Sequence, residues 1–320
     1  MKIDEQRYLR IGGIDQWVMI RGEDVTNPVL VVLHGGPGMS DTGFLRHFDP
    51  ALEASFTVVY WDQRGTGKSF DAHIPRSSMT VEQFISDLDE LVDHVRGRLG
   101  TAKVALLGHS WGSALGVLYA ARFPDKVAAY VGCAQIGDWA AGEAGSYAYA
   151  VAEAHRRGDR KAEQKLRAIG PPPHSADALW VERMTVARLE GRMGFRELWR
   201  FVPLALRGLF TLPRAIRGFR FSIASMWAEV SRLNLFERVP ALPVPVVIFV
   251  GGNDHWVPPE ASIAYFDALI APSKQLVRFE HSGHEVFVDE PAKFDAAMRE
   301  RVRPLLTAKA VPPAVSAGRW

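Results

Sequence analysis

Three residue types in this chain could together break an acyl bond: a serine in a constrained turn, a histidine and a carboxylate. The serine is Ser110, in Gly108-His109-Ser110-Trp111-Gly112. Glycines two positions to either side leave room for a strand and a helix to meet at a sharp turn. Such a turn strains the serine backbone and lifts its hydroxyl above a sheet. There, free N–H groups and the dipole of the following helix favour a developing oxyanion. Serine here, in place of aspartate, points to acyl transfer on esters, thioesters, lactones or amides. The histidine is His284, in His281-Ser282-Gly283-His284, and the acid is Asp254, in Gly251-Gly252-Asn253-Asp254. His284 would take the serine proton and return it to the leaving group. Asp254 would hold the imidazole tautomer and stabilise its cation. His281 is the rival base, with a loop hydrogen-bonder as its plainer reading. Asp138 is the rival acid, with a helix N-cap as its plainer reading. In His34-Gly35-Gly36-Pro37-Gly38 the glycines let the backbone approach a substrate closely. The expected oxyanion donors are the N–H groups of Gly36 and Trp111, and His34 reads as a structural hydrogen-bonder.

These residues need elements to hold them. Short apolar runs at 29–33, 56–61, 104–107, 127–131, 244–250 and 275–279 suit strands buried on both faces. Two earlier strands, 8–11 and 17–20, read as an antiparallel pair. A helix follows Thr80, an N-cap with Gln83 three residues on; Phe84, Leu88, Leu91, Val92 and Val95 recur at helical spacing and Gly100 closes it. Further helices are expected over 113–123, 260–270 and 291–303. Strand, tight turn and helix in repetition imply a mostly parallel, eight-stranded sheet with helices on both faces. Ser110, Asp254 and His284 then share the carboxyl edge of that sheet, where ligands bind. Residues 136–235 show only helical patterns and form a cap inserted after the sixth strand. The core is 1–135 with 236–306, and 307–320 reads as a poorly ordered tail.

Composition narrows the function classes. A formal charge of +2 offers no overall electrostatic case for nucleic acid. Cys133 is the only cysteine, which excludes an intrachain disulfide and reads as a small buried hydrophobe. The amino-terminal residues lack the apolar segment of a secretory signal, and no apolar stretch is long enough to cross a membrane, so a cytoplasmic protein is expected. Gly67-Lys68-Ser69 mimics the end of a phosphate-binding loop. However, position 62 is aspartate where that loop needs glycine, and Pro75 interrupts the helix that should follow. Asp62 and Arg64 are instead expected to brace loops beside the site. His281 and His284 have metal-ligand spacing but no third ligand at a recognised distance, so neither metal nor cofactor is expected.

HGGPG at 34–38, WDQRGTGKS at 61–69 and GHSWG at 108–112, with the later Asp254 and His284, resemble the proline iminopeptidase family of the α/β-hydrolase fold. The resemblance covers about 1–135 and 240–305. It implies a cytoplasmic aminopeptidase with Ser110, Asp254 and His284 as its triad and no cofactor. Family members bind the substrate α-amine with cap glutamates, one in a Glu-Asn-His-Tyr-Phe run, and 136–235 contains no such run. Glu229, beside Trp227, and Glu197, near Trp199, are the candidate replacements. Residues 192–220 carry seven arginines and one acid, Glu197, among aromatic residues. The plainest reading is a cap helix with its arginines in water. A lid over an apolar pocket is compatible with that, and contact with an acidic lipid surface is a further reading. Two enzymatic functions follow: release of an N-terminal residue from a short peptide or amide, or hydrolysis of a hydrophobic ester or lactone. A non-enzymatic binding module ranks last, because no triad member is missing.

Overall fold

The computed structural model describes residues 1–191, 202 and 212–307 of the 320-residue chain. Eight strands form one sheet in the order β1-β2-β4-β3-β5-β6-β7-β8. They are β1 (Ile3–Ile11), β2 (Ile14–Gly22), β3 (Val29–Leu33), β4 (Thr57–Trp61), β5 (Val104–His109), β6 (Val127–Cys133), β7 (Val246–Gly251) and β8 (Lys274–Phe279). β1 pairs antiparallel with β2, and β2 with β4; every other neighbour is parallel.

The strand sequences explain this layering. In β3, Val29, Val31 and Leu33 face one side and join Leu88, Leu91, Val92 and Leu115 in one core. Leu30 and Val32 face the other side and join Phe279, Phe287, Phe294 and Met298. Both faces are covered by helices, so the strand has no polar face to show. The edges differ. β1 is paired on one side only, and Asp4-Glu5-Gln6-Arg7 make its first half a mostly exposed polar run. That run hides its start at Ile3, ahead of the expected 8. β7 starts at Val246, two residues after the expected 244; Pro245, which has no N–H, precedes it, and its carbonyl accepts from Tyr130 N–H at 2.9 Å.

On the described residues the α-helices are α1 (Thr42–Phe48), α2 (Leu52–Ser55), α3 (Val81–Leu99), α4 (Trp111–Arg122), α5 (Trp139–Arg156), α6 (Arg160–Ile169), α7 (Ala176–Leu189), α8 (Leu212–Val230), α9 (Leu235–Arg238), α10 (Pro259–Ala268), α11 (Val286–Asp289), α12 (Pro291–Ala297) and α13 (Arg303–Thr307). α3 begins as expected, with the Thr80 hydroxyl accepting from Gln83 N–H, and ends at a left-handed Gly100. After α12 the chain makes a π turn over Met298–Val302, which keeps Met298 and Val302 buried. The described residues between β6 and β7 carry the helices α5 to α9 and no strand of the sheet. They include a small core of their own, built from Ala150, Ala154, Ala162, Leu166, Val186 and Leu189. α8 rests on the loops of the sheet: a Cβ on Gly38 would lie 2.9 Å from Phe219 Cα, and one on Gly218 would lie 2.8 Å from the Gly65 carbonyl oxygen. None of the described helices is long and apolar enough to cross a membrane.

Candidate active site

β5 runs into Ser110, which sits at φ 53°, ψ −118° before α4 begins at Trp111. A side chain with this backbone is strained. The flanking glycines make the turn possible: a Cβ on Gly108 would lie 2.4 Å from the Gly112 carbonyl oxygen, and one on Gly112 only 1.9 Å from that of Leu33. Ser110 N–H donates to the Cys133 carbonyl at 3.0 Å, which pins the turn to the neighbouring strand end. Cys133 itself is buried, and burial pushes its thiol far above the ordinary range, so it is an inert hydrophobe. Trp111 N–H lies in the first turn of α4, where helix donors lack an intrahelical partner.

The acid and the base come from two loops pressed together beyond β7 and β8. A Cβ on Gly251 would lie 2.1 Å from the Gly283 carbonyl oxygen, so only glycine permits the approach. Asp254 Oδ1 accepts from Trp256 N–H and Val257 N–H, both at 2.9 Å, and Oδ2 lies 2.9 Å from His284 Nδ1. Both side chains are buried. Burial pushes the Asp254 carboxyl upward, but the His284 imidazole and the two N–H donors more than reverse this and hold it below the usual carboxylate range. Asp254 is therefore an anion against Nδ1, leaving Nε2 of His284 as the nitrogen available for proton transfer. Ser110 and His284 line one cavity of about 310 Å³. His281, the rival base, is exposed, and its N–H is held by Glu290. Asp138, the rival acid, caps α5 by accepting from Ala140 and Ala141 N–H.

The glycine-rich turn lies beside Ser110, and Gly36, at φ 113°, lines the same cavity. His34 is buried behind the turn: Nε2 accepts from Gln63 N–H at 3.0 Å and Nδ1 faces the Gly35 carbonyl at 2.9 Å. Asp62 and Arg64 brace loops as expected. Asp62 accepts from Ser40 Oγ at 2.5 Å and Lys68 N–H at 2.8 Å. Arg64 is held by Asp87 through two contacts of 2.9 Å. Gly67-Lys68-Ser69 forms a single 3₁₀ turn, with no helix to cradle a phosphate.

Two substrate-contact expectations fail. Glu229 does not line the cavity; its carboxylate accepts from Val81 N–H at 3.0 Å, adding a second cap to α3 beside Thr80. Its neighbour Trp227 packs behind the wall, edge-on to Trp139, and donates to the His174 carbonyl at 2.6 Å. A bare helix N-terminus needs an acceptor, and Glu229 is placed to supply it. Glu197 and Trp199, with most of the arginine-rich stretch, lie outside the described residues.

The cavity wall above Ser110 instead carries a pair that sequence reasoning did not single out, Glu143 on α5 and Arg183 on α7. Arg183 donates to Glu143 Oε1, to Glu182 Oε2 at 2.9 Å and to Ser146 Oγ at 2.6 Å. Glu182 is fully buried, and burial raises its carboxyl above the ordinary range. Glu143 Oε2 has no hydrogen-bond partner. His174 Nδ1 lies 3.7 Å from it, an ion-pair distance too long for a hydrogen bond. The Glu143 carboxylate still raises His174 above its usual value. A signal was present: the buried stripe of α5 is Trp139, Glu143, Ser146, Ala150 and Ala154, and that of α7 includes Leu179, Glu182, Val186 and Leu189. Each places one carboxylate on an otherwise inward-facing helical stripe. Much of the remaining wall is apolar, with Ile136, Trp139, Leu179, Trp180, Met184 and Ile223, while Asp41, Asp138, Glu285 and Asp289 also line the cavity.

A strained serine between β5 and α4, a buried Asp–His pair on the next loops and an eight-stranded sheet define a hydrolase. The chain belongs to the alpha/beta hydrolase fold family, whose model matches residues 28–291. Among curated relatives, it is 33% identical over 304 residues to a probable aminopeptidase, YbaC, of Bacillus subtilis strain 168, covering 93% of this chain and 96% of that one. It is 35% identical over 119 residues to a proline iminopeptidase of Saccharolobus solfataricus, 37% of each chain. A solved proline iminopeptidase-related protein from Thermus thermophilus superposes with a TM-score of 0.66 at 21% identity, covering 95% of this chain and 99% of that one, a likeness of fold.

Proposed function

We propose that the protein is a serine aminopeptidase that releases an N-terminal residue from short peptides or amides through an acyl-enzyme. In this reading Ser110 Oγ attacks the scissile carbonyl as His284 Nε2 takes its proton. The N–H groups of Gly36 and Trp111 receive the oxyanion. His284 then protonates the departing amine, and water, deprotonated by the same nitrogen, releases the acyl group. Asp254 keeps Nδ1 protonated and balances the imidazolium. One observation carries the amine specificity: Glu143 lines the same cavity as Ser110, and one oxygen of its carboxylate, the buried Oε2, has no hydrogen-bond partner. A substrate ammonium placed there would complete the carboxylate, whereas a neutral acyl chain would leave it unmet. The second reading, an esterase or lactonase for hydrophobic substrates, draws on the apolar remainder of the same wall.

A panel of prolyl- and other aminoacyl-arylamides against aryl esters and lactones separates the two. Aminoacyl-arylamide turnover is expected, and Ser110→Ala should lower it by at least about 10⁴-fold. Turnover confined to amine-free esters would favour the second reading, and full activity in Ser110→Ala would remove the serine from the mechanism.

A further inference from the structure

His109, one residue before Ser110, is buried, and its two ring nitrogens face different loops. Nδ1 lies 2.9 Å from Asp41 Oδ2, and Nε2 lies 3.1 Å from the backbone carbonyl oxygen of His284. Both partners are acceptors. A neutral imidazole carries one N–H and could satisfy only one of them; both contacts are hydrogen bonds only if the ring is an imidazolium. His34, buried nearby, makes the contrast. Its Nε2 faces a donor and its Nδ1 an acceptor, which suits a neutral ring, and burial lowers its tendency to protonate.

Asp41 has a second task. The same Oδ2 accepts from Gly35 N–H at 3.1 Å, one residue before Gly36. Space here is tight: a Cβ on Gly35 would lie 3.2 Å from His109 Nδ1 and 3.3 Å from Ser110 Cβ. The glycine-rich turn, the serine turn and the histidine loop therefore meet at one buried ion pair. We propose that His109, as an imidazolium paired with Asp41, is a positioning residue that ties the His284 loop to the oxyanion turn beneath Ser110. This rests on the reading of Ser110 and His284 as nucleophile and base, and not on the choice of amine or ester substrate.

The surroundings set the pH range. Burial disfavours the cation, but Asp41, the nearby Glu285 and the His284 carbonyl outweigh it and lift His109 to about 9. His34 and the His284 ring are the other titratable groups against it, and the ring of Phe287 closes it off edge-on at 5.1 Å. Because the value is raised above the ordinary 6.5, the tie is intact below that point and is lost as pH rises through about 9.

Histidine-selective ¹⁵N NMR on the full chain tests the state directly, with the His109 signal assigned by its loss in His109→Asn or by its shift in Asp41→Asn. A doubly protonated ring at pH 7.5 that titrates near pH 9, and at least about one unit lower in Asp41→Asn, is expected; a neutral ring at pH 7.5 overturns the proposal. Kinetics on a nitrophenyl ester with no ionising group of its own provide the second readout. Asp41→Asn should lower kcat by about 10- to 100-fold with KM nearly unchanged. It should also move the alkaline fall in kcat to lower pH. A uniform loss with an unmoved alkaline limb would mean that the pair serves folding alone, contradicting the proposal. Complete inactivity of the unmodified protein on esters and aminoacyl-arylamides alike would count against the reading of Ser110, and the NMR titration would still decide the pair.

Discussion

Two arginines, a buried one under the loops of the sheet and a half-buried one in the helices above the cavity, meet different numbers of carboxylates. Arg64 meets a single carboxylate, Asp87, through two contacts of 2.9 Å, and spends its other donors on the Gly12 carbonyl and Ser78 Oγ. Asp87 is completed by Gln16 and Gln83. Arg183 meets two carboxylates, Glu143 and Glu182, and one oxygen of Glu143 remains without a hydrogen bond. A buried charge needs full compensation, so the first pair reads as closed structure, whereas in the second one oxygen of Glu143 keeps only a 3.7 Å ion-pair contact with His174 Nδ1 and no hydrogen bond. The difference separates two kinds of support: the loops of the sheet hold a closed ion pair, and the inserted helices hold a carboxylate with one oxygen short of a hydrogen bond.

The largest test of that contrast removes the closed pair. Arg64→Met would leave Asp87 fully buried and uncompensated, and should cost about 3–5 kcal/mol in urea denaturation. Unchanged stability would mean that the pair braces nothing. Next in size, Glu143→Gln keeps the shape of the open pair but removes its charge. KM for an aminoacyl-arylamide should rise about 10- to 100-fold, with little change on an amine-free ester. Equal losses on both substrates would turn Glu143 into a packing residue.

The smallest effect concerns surplus charge with no cavity beside it. Asp49, after α1, and Asp295, on α12, each leave one buried carboxylate oxygen without a hydrogen-bond partner. Burial, with Asp295 alongside, lifts Asp49 to about 7 from 3.8. The native state then binds that proton more tightly than the unfolded chain does, so stability falls as pH rises from about 4 through about 7. Asp49→Asn should stabilise the protein by about 1 kcal/mol at pH 8 and by nothing at pH 4, read from Tm at the two pH values. A gain that is the same at both would show that charge is not the cause.

The same division decides what the sequence could reveal. β3, with all five residues buried, reads as a strand because both faces are covered, and the glycines around Ser110 read as a turn because any Cβ there would strike backbone. Backbone geometry of that kind leaves its mark within a few residues. The choice among acids does not. Glu229 looked suitable beside Trp227, yet its carboxylate is drawn to the open N-terminus of α3, a partner 148 positions away. Glu143 and Glu182 sit on inward-facing stripes, but their meeting with Arg183 depends on how α5 and α7 pack, and helical periodicity carries no information on pairing. Asp41 and His109 were equally hidden: their contact spans 68 positions, Asp41 lies outside the motifs, and His109 fills a variable position of the serine turn.

The most direct test of the central claim compares an aminoacyl-arylamide that the unmodified protein cleaves with the same compound acetylated on its α-nitrogen. A free ammonium that completes Glu143 predicts kcat/KM at least about 100-fold higher for the unacetylated substrate. Equal rates on the two would contradict the proposal that the Glu143 carboxylate above Ser110 recognises an amine.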